Sequence, residues 1–418
     1  MSIGIRIDDL ASPVLTEVAQ GLLGSVTEEM VVLEPQALMA MAQEQAGLSD
    51  FGDMSFVERL TRCCDAFETD TDLSTMGRIT ASAILTRNLV QRLRHEKLWA
   101  DNPSIANTKI DRPIIIAGLP RTGTTHMLNL ISADDRLRSL QYWESVEPFP
   151  APGEPTSGDA NDPRVQRCID EFEFRDQIMP YFKNMHEMLP HHIHEETELQ
   201  TMDFSTQFVE VLGIMPQYRD WYLANDQTPA YAYMKRALQA LQWTRGPERW
   251  ILKSPQHMEQ LVPLRNTFPD ATFVITHRDP VSIIASLGTM ICYSGRIGRK
   301  DVKPKEIFNY WAGRLENWLR VCVAEAPKLP QEQTIHIRFD DFMANDMATI
   351  DKIYSMADHP LTPAVAGNMQ QYIADNPRGK HGQILYNVKQ DFGVDPEELY
   401  ERYKFYTDYF NLPLEQKV

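Results

Sequence analysis

The sequence predicts an α/β fold, namely a P-loop-type three-layer core around a central parallel sheet, with a helical N-terminal extension and a helical insertion. Short continuous apolar runs, each followed by a helical pattern, recur between residues 111 and 338 and are typical of buried parallel strands. Before residue 111 the apolar residues have helical spacing instead. We therefore expect a helical extension over residues 1–110 and an α/β domain over residues 111–418.

The composition limits the partners and the compartment. The 418 residues include 41 Lys and Arg against 58 Asp and Glu, a net charge of −17, and so acidic a surface repels nucleic acid. The five cysteines are an odd number without CxxC spacing, which indicates neither a disulfide framework nor a zinc ribbon. No secretory signal is visible, and the apolar stretch 280–295 is too short to span a bilayer. We expect a soluble cytoplasmic protein, and the sequence leaves a homo-oligomer open.

The elements follow in order along the chain. Residues 13–96 are predicted to be helical throughout, with Ser55 and Thr71 as possible helix starts. The apolar runs predict four parallel strands, at residues 111–118, 250–253, 271–276 and 334–338. A helix is expected from about residue 123 to residue 133, directly after the first strand.

A proline-rich stretch and an aromatic-rich stretch interrupt the core. Residues 150–163 hold four prolines and two glycines without periodicity, which predicts a loop. A helical insertion is expected over about residues 164–245, and it carries nine Tyr, Phe and Trp side chains between residues 181 and 233. Aromatic residues at helical spacing are more typical of core than of a lid or an acceptor pocket, and both interpretations stay open.

The segment from Ile114 to His126 is the strongest local signal, because a strand runs into a glycine-containing turn and then a helix. Backbone N–H groups and a helix N-terminus converge on an anion in that arrangement. Gly118 and Gly123 have Walker A spacing, yet Thr124-Thr125 stands where a Lys-Ser/Thr pair is expected, and the positive charge comes earlier, on Arg121. The loop therefore favours a 5′-phosphate that carries something other than a phosphate chain.

Two further basic positions point to a second anion site. Arg278 follows the predicted strand 271–276 by two residues, and Ser286 comes eight residues after Arg278, about two turns into the next helix. A basic loop, Arg378-Gly379-Lys380-His381, comes near the C-terminus. The alternatives are an ion pair between Arg278 and Asp279 and an ordinary solvated charge run.

In this order, the three elements resemble the sulfotransferases that use 3′-phosphoadenosine 5′-phosphosulfate (PAPS), over roughly residue 113 to the C-terminus. The resemblance assigns Arg121, Thr122, Gly123, Thr124 and Thr125 to the 5′-phosphosulfate loop, in the form that carries arginine in tyrosylprotein and bacterial enzymes. It assigns Arg278 and Ser286 to the donor's 3′-phosphate, together with the loop Arg378, Gly379 and Lys380. It implies PAPS as co-substrate and no required metal.

Two positions depart from the family's cytosolic pattern. His126 stands where those enzymes have an aromatic residue after the loop threonines, which bears on how adenine is stacked. Their catalytic histidine lies two residues after a lysine, and in the segment Lys253-Ser-Pro-Gln-His257 that position is Pro255. Arg121, the loop amides and Lys253 are the candidates to stabilise charge on the bridging oxygen of the donor.

Three candidates compete for the general base that takes the acceptor's proton. Glu144 is the first choice, because it resembles the glutamate of tyrosylprotein and some bacterial sulfotransferases, and its alternative is a surface carboxylate beside Trp143. His257 is second. The third is His194, in a His- and Glu-rich run at residues 191–198 that lacks the HExxH pattern of a zinc protease, so a metal site there is disfavoured.

These residues predict an enzyme that transfers a sulfonyl group from PAPS, in-line, to a hydroxyl of a small or lipidic acceptor. The alternatives are a P-loop kinase or nucleotidase, which the missing Walker lysine disfavours, and a non-catalytic nucleotide-binding scaffold. The acceptor pocket is expected in the helical insertion and the N-terminal extension, where no motif chooses among steroid, lipid, glycan and phenol.

Overall fold

The computed structural model describes residues 4–69, 72–159, 161–186, 188–246, 249–377 and 382–415. The strands are β1 Gly4–Arg6, β2 Ile114–Gly118, β3 Leu137–Arg138, β4 Arg249–Ser254, β5 Thr272–His277, β6 Thr334–Arg338 and β7 Gln383–Leu385. The helices are α1 Glu17–Ser25, α2 Pro35–Ala46, α3 Phe56–Thr69, α4 Thr75–Asp101, α5 Thr124–Ile131, α6 Tyr142–Val146, α7 Pro163–Ile178, α8 Phe182–Met185, α9 Thr197–Thr201, α10 Pro216–Ala224, α11 Thr228–Thr244, α12 Leu261–Thr267, α13 Pro280–Gly298, α14 Pro304–Glu325, α15 Phe339–Ala344, α16 Asp346–Met356, α17 Pro363–Asp375, α18 Val388–Phe392 and α19 Pro396–Phe410.

The main sheet has five parallel strands in the order β3-β4-β2-β5-β6. Strand β2 lies at its centre, with Ile116 opposite Lys253 of β4 and Gly118 opposite Thr276 of β5. The carboxyl ends of β2, β4 and β5 therefore meet at one edge of the sheet. In open α/β sheets this edge is where ligands bind.

Helices cover both faces of the sheet, which gives the predicted three layers. Alternate residues of β2 enter different cores, because side chains of a strand point to opposite faces in turn. Ile115 packs in the core with helices α11 to α14, while Ile116 packs in the other core with helices α5, α16 and α17. Since both faces are buried, β2 reads as one continuous apolar run.

The N-terminal helices and part of the insertion share a further apolar core. Leu38, Phe56 and Leu89 of the extension lie in one cluster with Tyr218 and Tyr222 of the insertion. The two predicted helical pieces are thus packed against each other, although 105 residues that include two strands separate the end of α4 from the short helical turn that starts at Gln207. Most of the insertion's aromatic side chains serve as core, while Tyr181 is 47% exposed.

The four predicted strands and the helix after the first strand are present, with ends displaced by at most three residues. Described residues between 147 and 162 contain neither helix nor strand, as the prolines predicted. The sequence did not predict β3, which has two residues, or the separate parallel pair of β1 and β7, in which Gly4 lies opposite Gln383. Strands of two or three residues are too short to leave a pattern.

Helix α13 is longer than the apolar stretch that the sequence suggested. Its 19 residues make it long and apolar enough to cross a membrane by length and composition, and 78% of its apolar window is buried inside the fold. It packs against α4, α14 and α19. Such a burial pattern is that of a core helix, whose apolar surface is covered by protein.

Candidate active site

The loop between β2 and α5 lies at the carboxyl edge of the sheet. Helix α5 begins after Gly123, which has a left-handed φ of 81° and no side chain with which to cap the first turn. The first amides of a helix have no partner within the helix, so they are available to an anion. A Cβ at Gly118 would lie 1.9 Å from Oγ1 of Thr276, so the close approach of β2 and β5 requires glycine there.

The buried side chain of Thr122 fixes the loop between β2 and α5. The Thr122 hydroxyl donates to the carbonyl of Leu119 at 2.7 Å, and its oxygen lies 2.7 Å from Oγ1 of Thr276 on β5. Thr124 is buried as well, whereas Thr125 is exposed. Of the predicted loop residues, Thr122 is therefore bound to the loop backbone and to β5, Thr124 is buried, and Thr125 is exposed.

Arg121 and Arg278 lie in direct contact at this edge. Nη1 of Arg278 donates to the backbone carbonyl of Arg121 at 2.5 Å. The Arg121 guanidinium extends the other way, to the carbonyl of Met185 at 3.2 Å. Arg121 has a φ of 69°, an uncommon backbone conformation for a residue with a side chain. The two predicted anion-binding arginines thus lie next to each other at this edge of the sheet, and their joint role in binding the donor stays a prediction.

The rest of the predicted 3′-phosphate subsite lies on α13. The Arg278 guanidinium lies over the ring of Phe339, 4.0 Å from its centroid. Ser286 donates to the hydroxyl oxygen of Tyr386 at 2.9 Å. Ser282 lies four residues before Ser286 on the same helix face, and the sequence did not predict it as a site residue. Arg378, Gly379, Lys380 and His381 lie outside the described residues, so their assignment stays a prediction.

Lys253 lies next to the phosphate loop, because β4 pairs with β2. Its side chain is 4% exposed, and Nζ donates to the carboxylate of Glu195, which is 19% exposed. The Lys253 backbone N–H donates to Oε2 of Glu196 at 2.8 Å. In the turn before α9, Glu195 therefore accepts from the side chain of Lys253, and Glu196 accepts from its backbone N–H.

A sequence model of the sulfotransferase family matches residues 113–363, which include the phosphate loop, Lys253 and Arg278. The chain belongs to the sulfotransferase family. It is also similar to two solved structures: sulfotransferase STF9 from Mycobacterium avium, with 26% identity, a TM-score of 0.81 and coverage of 92% of this chain and 98% of that one, and sulfotransferase STF1 from Mycobacterium tuberculosis H37Rv, with 26% identity, a TM-score of 0.77 and coverage of 88% and 97%. No curated protein sequence matches.

Glu144 lies in a buried ion-pair cluster of this sulfotransferase. Its Oε1 accepts from Nη2 of Arg138 and from Nη2 of Arg245, each at 2.6 Å, and its side chain is 2% exposed. Arg138 pairs in register with Trp250, three residues before Lys253. Trp250 and Lys253 are thus separated by about 10 Å along β4. Both guanidinium groups bind Oε1, whereas Oε2 is buried without a hydrogen-bond partner, and the assignment of Glu144 as the base stays a prediction.

His257 is fully buried between two polar groups. Its Nε2 lies 2.5 Å from Oε1 of Glu196, and its Nδ1 lies 2.8 Å from the Tyr231 hydroxyl. An ionised carboxylate only accepts, so the Nε2–H group of His257 donates to Glu196. Both ring nitrogens of His257 are therefore within hydrogen-bond distance of a protein group, and the assignment of His257 as a candidate base stays a prediction.

The histidine-rich run forms no metal site among the residues that the structure describes, where no three His, Cys, Asp or Glu side chains are grouped to hold an ion. Nε2 of His194 lies 3.9 Å from the Glu198 carboxylate, and its ring meets the ring of Tyr142 edge-on at 4.6 Å. His191 instead lies 2.9 Å from the side-chain oxygen of Gln141.

Two other histidines complete the description of the site. His186, which sequence reasoning missed because no motif contains it, directly follows the residue that Arg121 contacts. Burial, followed by the positive charges of His194, Lys253 and Arg121 among others, holds the pKa of His186 well below its ordinary value, so its ring is neutral at pH 7. His126 packs its ring 5.5 Å from that of Phe342.

Proposed function

We propose that this sulfotransferase uses PAPS as its donor and transfers the sulfonyl group to a hydroxyl of a small or lipidic acceptor. One observation carries the proposal: Arg121, Lys253 and Arg278 gather at the carboxyl edge of β2, β4 and β5 in a chain of net charge −17. A molecule with so negative a mean field holds an anionic ligand only where cations are clustered.

The residues present fit a nucleotide with two separate anionic groups. The uncapped N-terminus of α5 and the side chain of Arg121 suit the 5′-phosphosulfate. Arg278 and Ser286 suit the 3′-phosphate, since a guanidinium offers a planar fork of donors to phosphate oxygens. The predicted loop residues Arg378, Gly379 and Lys380 are assigned to the same phosphate.

In the proposed reaction the acceptor oxygen forms a bond to sulfur while the bond between sulfur and the bridging oxygen of the donor breaks. The products are a sulfate ester and adenosine 3′,5′-bisphosphate. Lys253 and Arg121 stabilise the negative charge that develops on the bridging oxygen, and the loop amides hold the neighbouring phosphate. No step calls for a metal ion.

We assign the general base to Glu195 rather than to Glu144 or His257. Glu195 is the partly exposed carboxylate whose partner is the side chain of Lys253, next to the phosphate loop. When Lys253 turns its N–H groups toward the donor, Glu195 is left to accept the proton of the attacking hydroxyl. Proton transfer to a positioned carboxylate contributes about 10²–10⁴-fold to such reactions.

The five cysteines are buried and unpaired, which supports the expectation of a reducing, cytoplasmic compartment.

The proposed acceptor is a hydroxyl compound of small-molecule or lipid size. A kinase or nucleotidase remains the competing function to be tested.

Two measurements test the proposal. Adenosine 3′,5′-bisphosphate is expected to raise the melting temperature, and ATP with Mg²⁺ is not. Radiolabelled PAPS incubated with a library of phenols, steroids, glycans and lipids is expected to label at least one acceptor with wild type, and none with Lys253→Met. Lys328→Met, at an exposed position, is the matched control and should behave as wild type. Stabilisation by ATP with Mg²⁺ alone would contradict the assignment.

A further inference from the structure

The chain folds back toward the phosphate loop after its last helix. Helix α19 ends before Asn411, which has a left-handed φ of 50°, and the N–H of Leu412 donates to the carbonyl of Thr407 at 2.9 Å. Leu412 is 9% exposed, so this reversal is anchored in the core. Residues 412–415, called the returning segment below, then extend to the start of α13.

Glu415 of the returning segment occupies the guanidinium of Arg278. Nε of Arg278 donates to Oε1 of Glu415 at 2.6 Å, and Nη2 donates to Oε2 at 2.8 Å. The hydroxyl of Ser282 donates to Oε2 at 3.1 Å. Burial disfavours the charged carboxylate, but the hydrogen bonds and charge of Arg278 outweigh it, so the pKa of Glu415 lies below its ordinary value.

The backbone of Glu415 is held as well. Its N–H donates to Oδ2 of Asp279 at 2.8 Å, and its carbonyl accepts from the Tyr400 hydroxyl at 3.2 Å. Asp279 is also the N-cap of α13, with its other oxygen 2.9 Å from the N–H of Val281. The carboxylate of Glu415 thus lies at the N-terminus of the 19-residue helix α13, where a negative charge is favoured.

These contacts are the ones that a phosphate would make. A carboxylate and a phosphate present the same pair of oxygens to the fork of an arginine, and the helix N-terminus and a serine hydroxyl favour both anions. Both carboxylate oxygens of Glu415 are already bound to Arg278. A ligand phosphate and the carboxylate of Glu415 therefore cannot take the same edge of this guanidinium at once.

From this we infer that Glu415 is a built-in competitor of the donor, which fills the 3′-phosphate subsite in the free enzyme and must leave before PAPS binds. The inference rests on the proposed function, because that function assigns Arg278 to the 3′-phosphate. The competitor is part of the chain, so its local concentration does not depend on protein concentration.

Beyond its buried anchor at Leu412, the returning segment is partly exposed to water, which favours displacement of Glu415. The side chains of Arg278 and Glu415 are 21% and 30% exposed, and Leu414 is 50% exposed, so few apolar contacts oppose release. Ion pairs with this much exposure are partly screened by water. When Glu415 occupies Arg278 in part of the enzyme, the apparent dissociation constant of the donor equals the intrinsic one divided by the fraction in which Arg278 is free. We expect a modest effect of about three- to tenfold on donor affinity.

The test is calorimetric titration of the full chain with adenosine 3′,5′-bisphosphate. Glu415→Gln, and a chain that stops after Leu412, are expected to bind it about three- to tenfold more tightly than wild type. Glu401→Gln, which removes an exposed carboxylate from α19, is the matched control and should leave affinity unchanged. In the Arg278→Ala background, Glu415→Gln should have no further effect.

A second probe, adenosine 5′-phosphate, lacks the 3′-phosphate, so its affinity should not respond to Glu415→Gln. An equal gain for this probe would overturn the assignment of Glu415 to the 3′-phosphate subsite. If the bisphosphate binds wild type and both variants equally, or binds the variants more weakly, the inference is wrong and the proposed function stands. If the bisphosphate binds none of the chains, the proposed function fails and the inference fails with it.

Discussion

Substituting Glu144 by glutamine distinguishes a structural carboxylate from a catalytic base. Glutamine keeps the size and one accepting oxygen, but it removes the charge that balances Arg138 and Arg245. Breaking a buried ion pair by removing one partner costs about 3–5 kcal/mol. Arg245 is 35% exposed and recovers part of its hydration, and the retained hydrogen bond recovers more. We therefore expect the free energy of unfolding to fall by about 2 kcal/mol.

The assay pairs urea unfolding with turnover at saturating PAPS. Glu144→Gln should lower the urea midpoint, while kcat of the folded enzyme should stay within about threefold of wild type, since Arg138, which binds Glu144, lies opposite Trp250, about 10 Å along β4 from Lys253. Arg245→Ala should destabilise through the same cluster and likewise spare kcat. A loss of 10²-fold or more in kcat with unchanged stability would refute this reasoning and restore Glu144 as the base.

Three further predictions concern the site and its acid stability. Glu195→Gln should lower kcat by about 10²–10⁴-fold with little change in bisphosphate affinity, measured by turnover and titration; near-wild-type kcat would exclude Glu195 as the base. Arg278→Ala should weaken bisphosphate binding by about 1.5–3 kcal/mol, roughly 10- to 150-fold, and unchanged affinity would remove it from the donor site. Glu96 accepts from Arg236 at 3.0 and 3.1 Å, and although burial raises the pKa of Glu96, hydrogen bonds from His95 and Arg236 lower it from 4.5 to about 2. A lowered folded pKa gives stability that is present above pH 4.5 and is lost as the pH falls toward 2, so Glu96→Gln should flatten acid unfolding in that window; an unchanged profile would contradict this.

The strands of the main sheet were predictable because burial on both faces leaves a continuous apolar run, as in β2 and β5. The phosphate loop was predictable for a related reason. Its shape depends on neighbouring residues such as Gly118 and Gly123, whose spacing is visible in the sequence. Strand β3 was not predictable, because two residues such as Leu137 and Arg138 carry no periodicity.

The choice of base could not be made from the sequence, because it depends on partners that are far apart along the chain. Glu144 is engaged by Arg245, 101 residues later, and Glu195 meets Lys253, 58 residues later. The run from residue 191 to residue 198 was predicted as a source of the base, but through His194 and not through Glu195. Only tertiary pairing distinguishes a carboxylate that is engaged by two arginines from one that lies beside a single lysine.

The core shared by the N-terminal helices and the insertion has a consequence for exchanging parts between relatives. Asp203 of the insertion binds Arg92 at 3.1 Å and Arg59 at 2.6 Å, both from the extension, inside a common apolar cluster. A chimera that receives a foreign insertion alone would bury unmatched arginines against foreign side chains. Exchanging the insertion between two such enzymes without loss of stability therefore requires moving the N-terminal helices together with it.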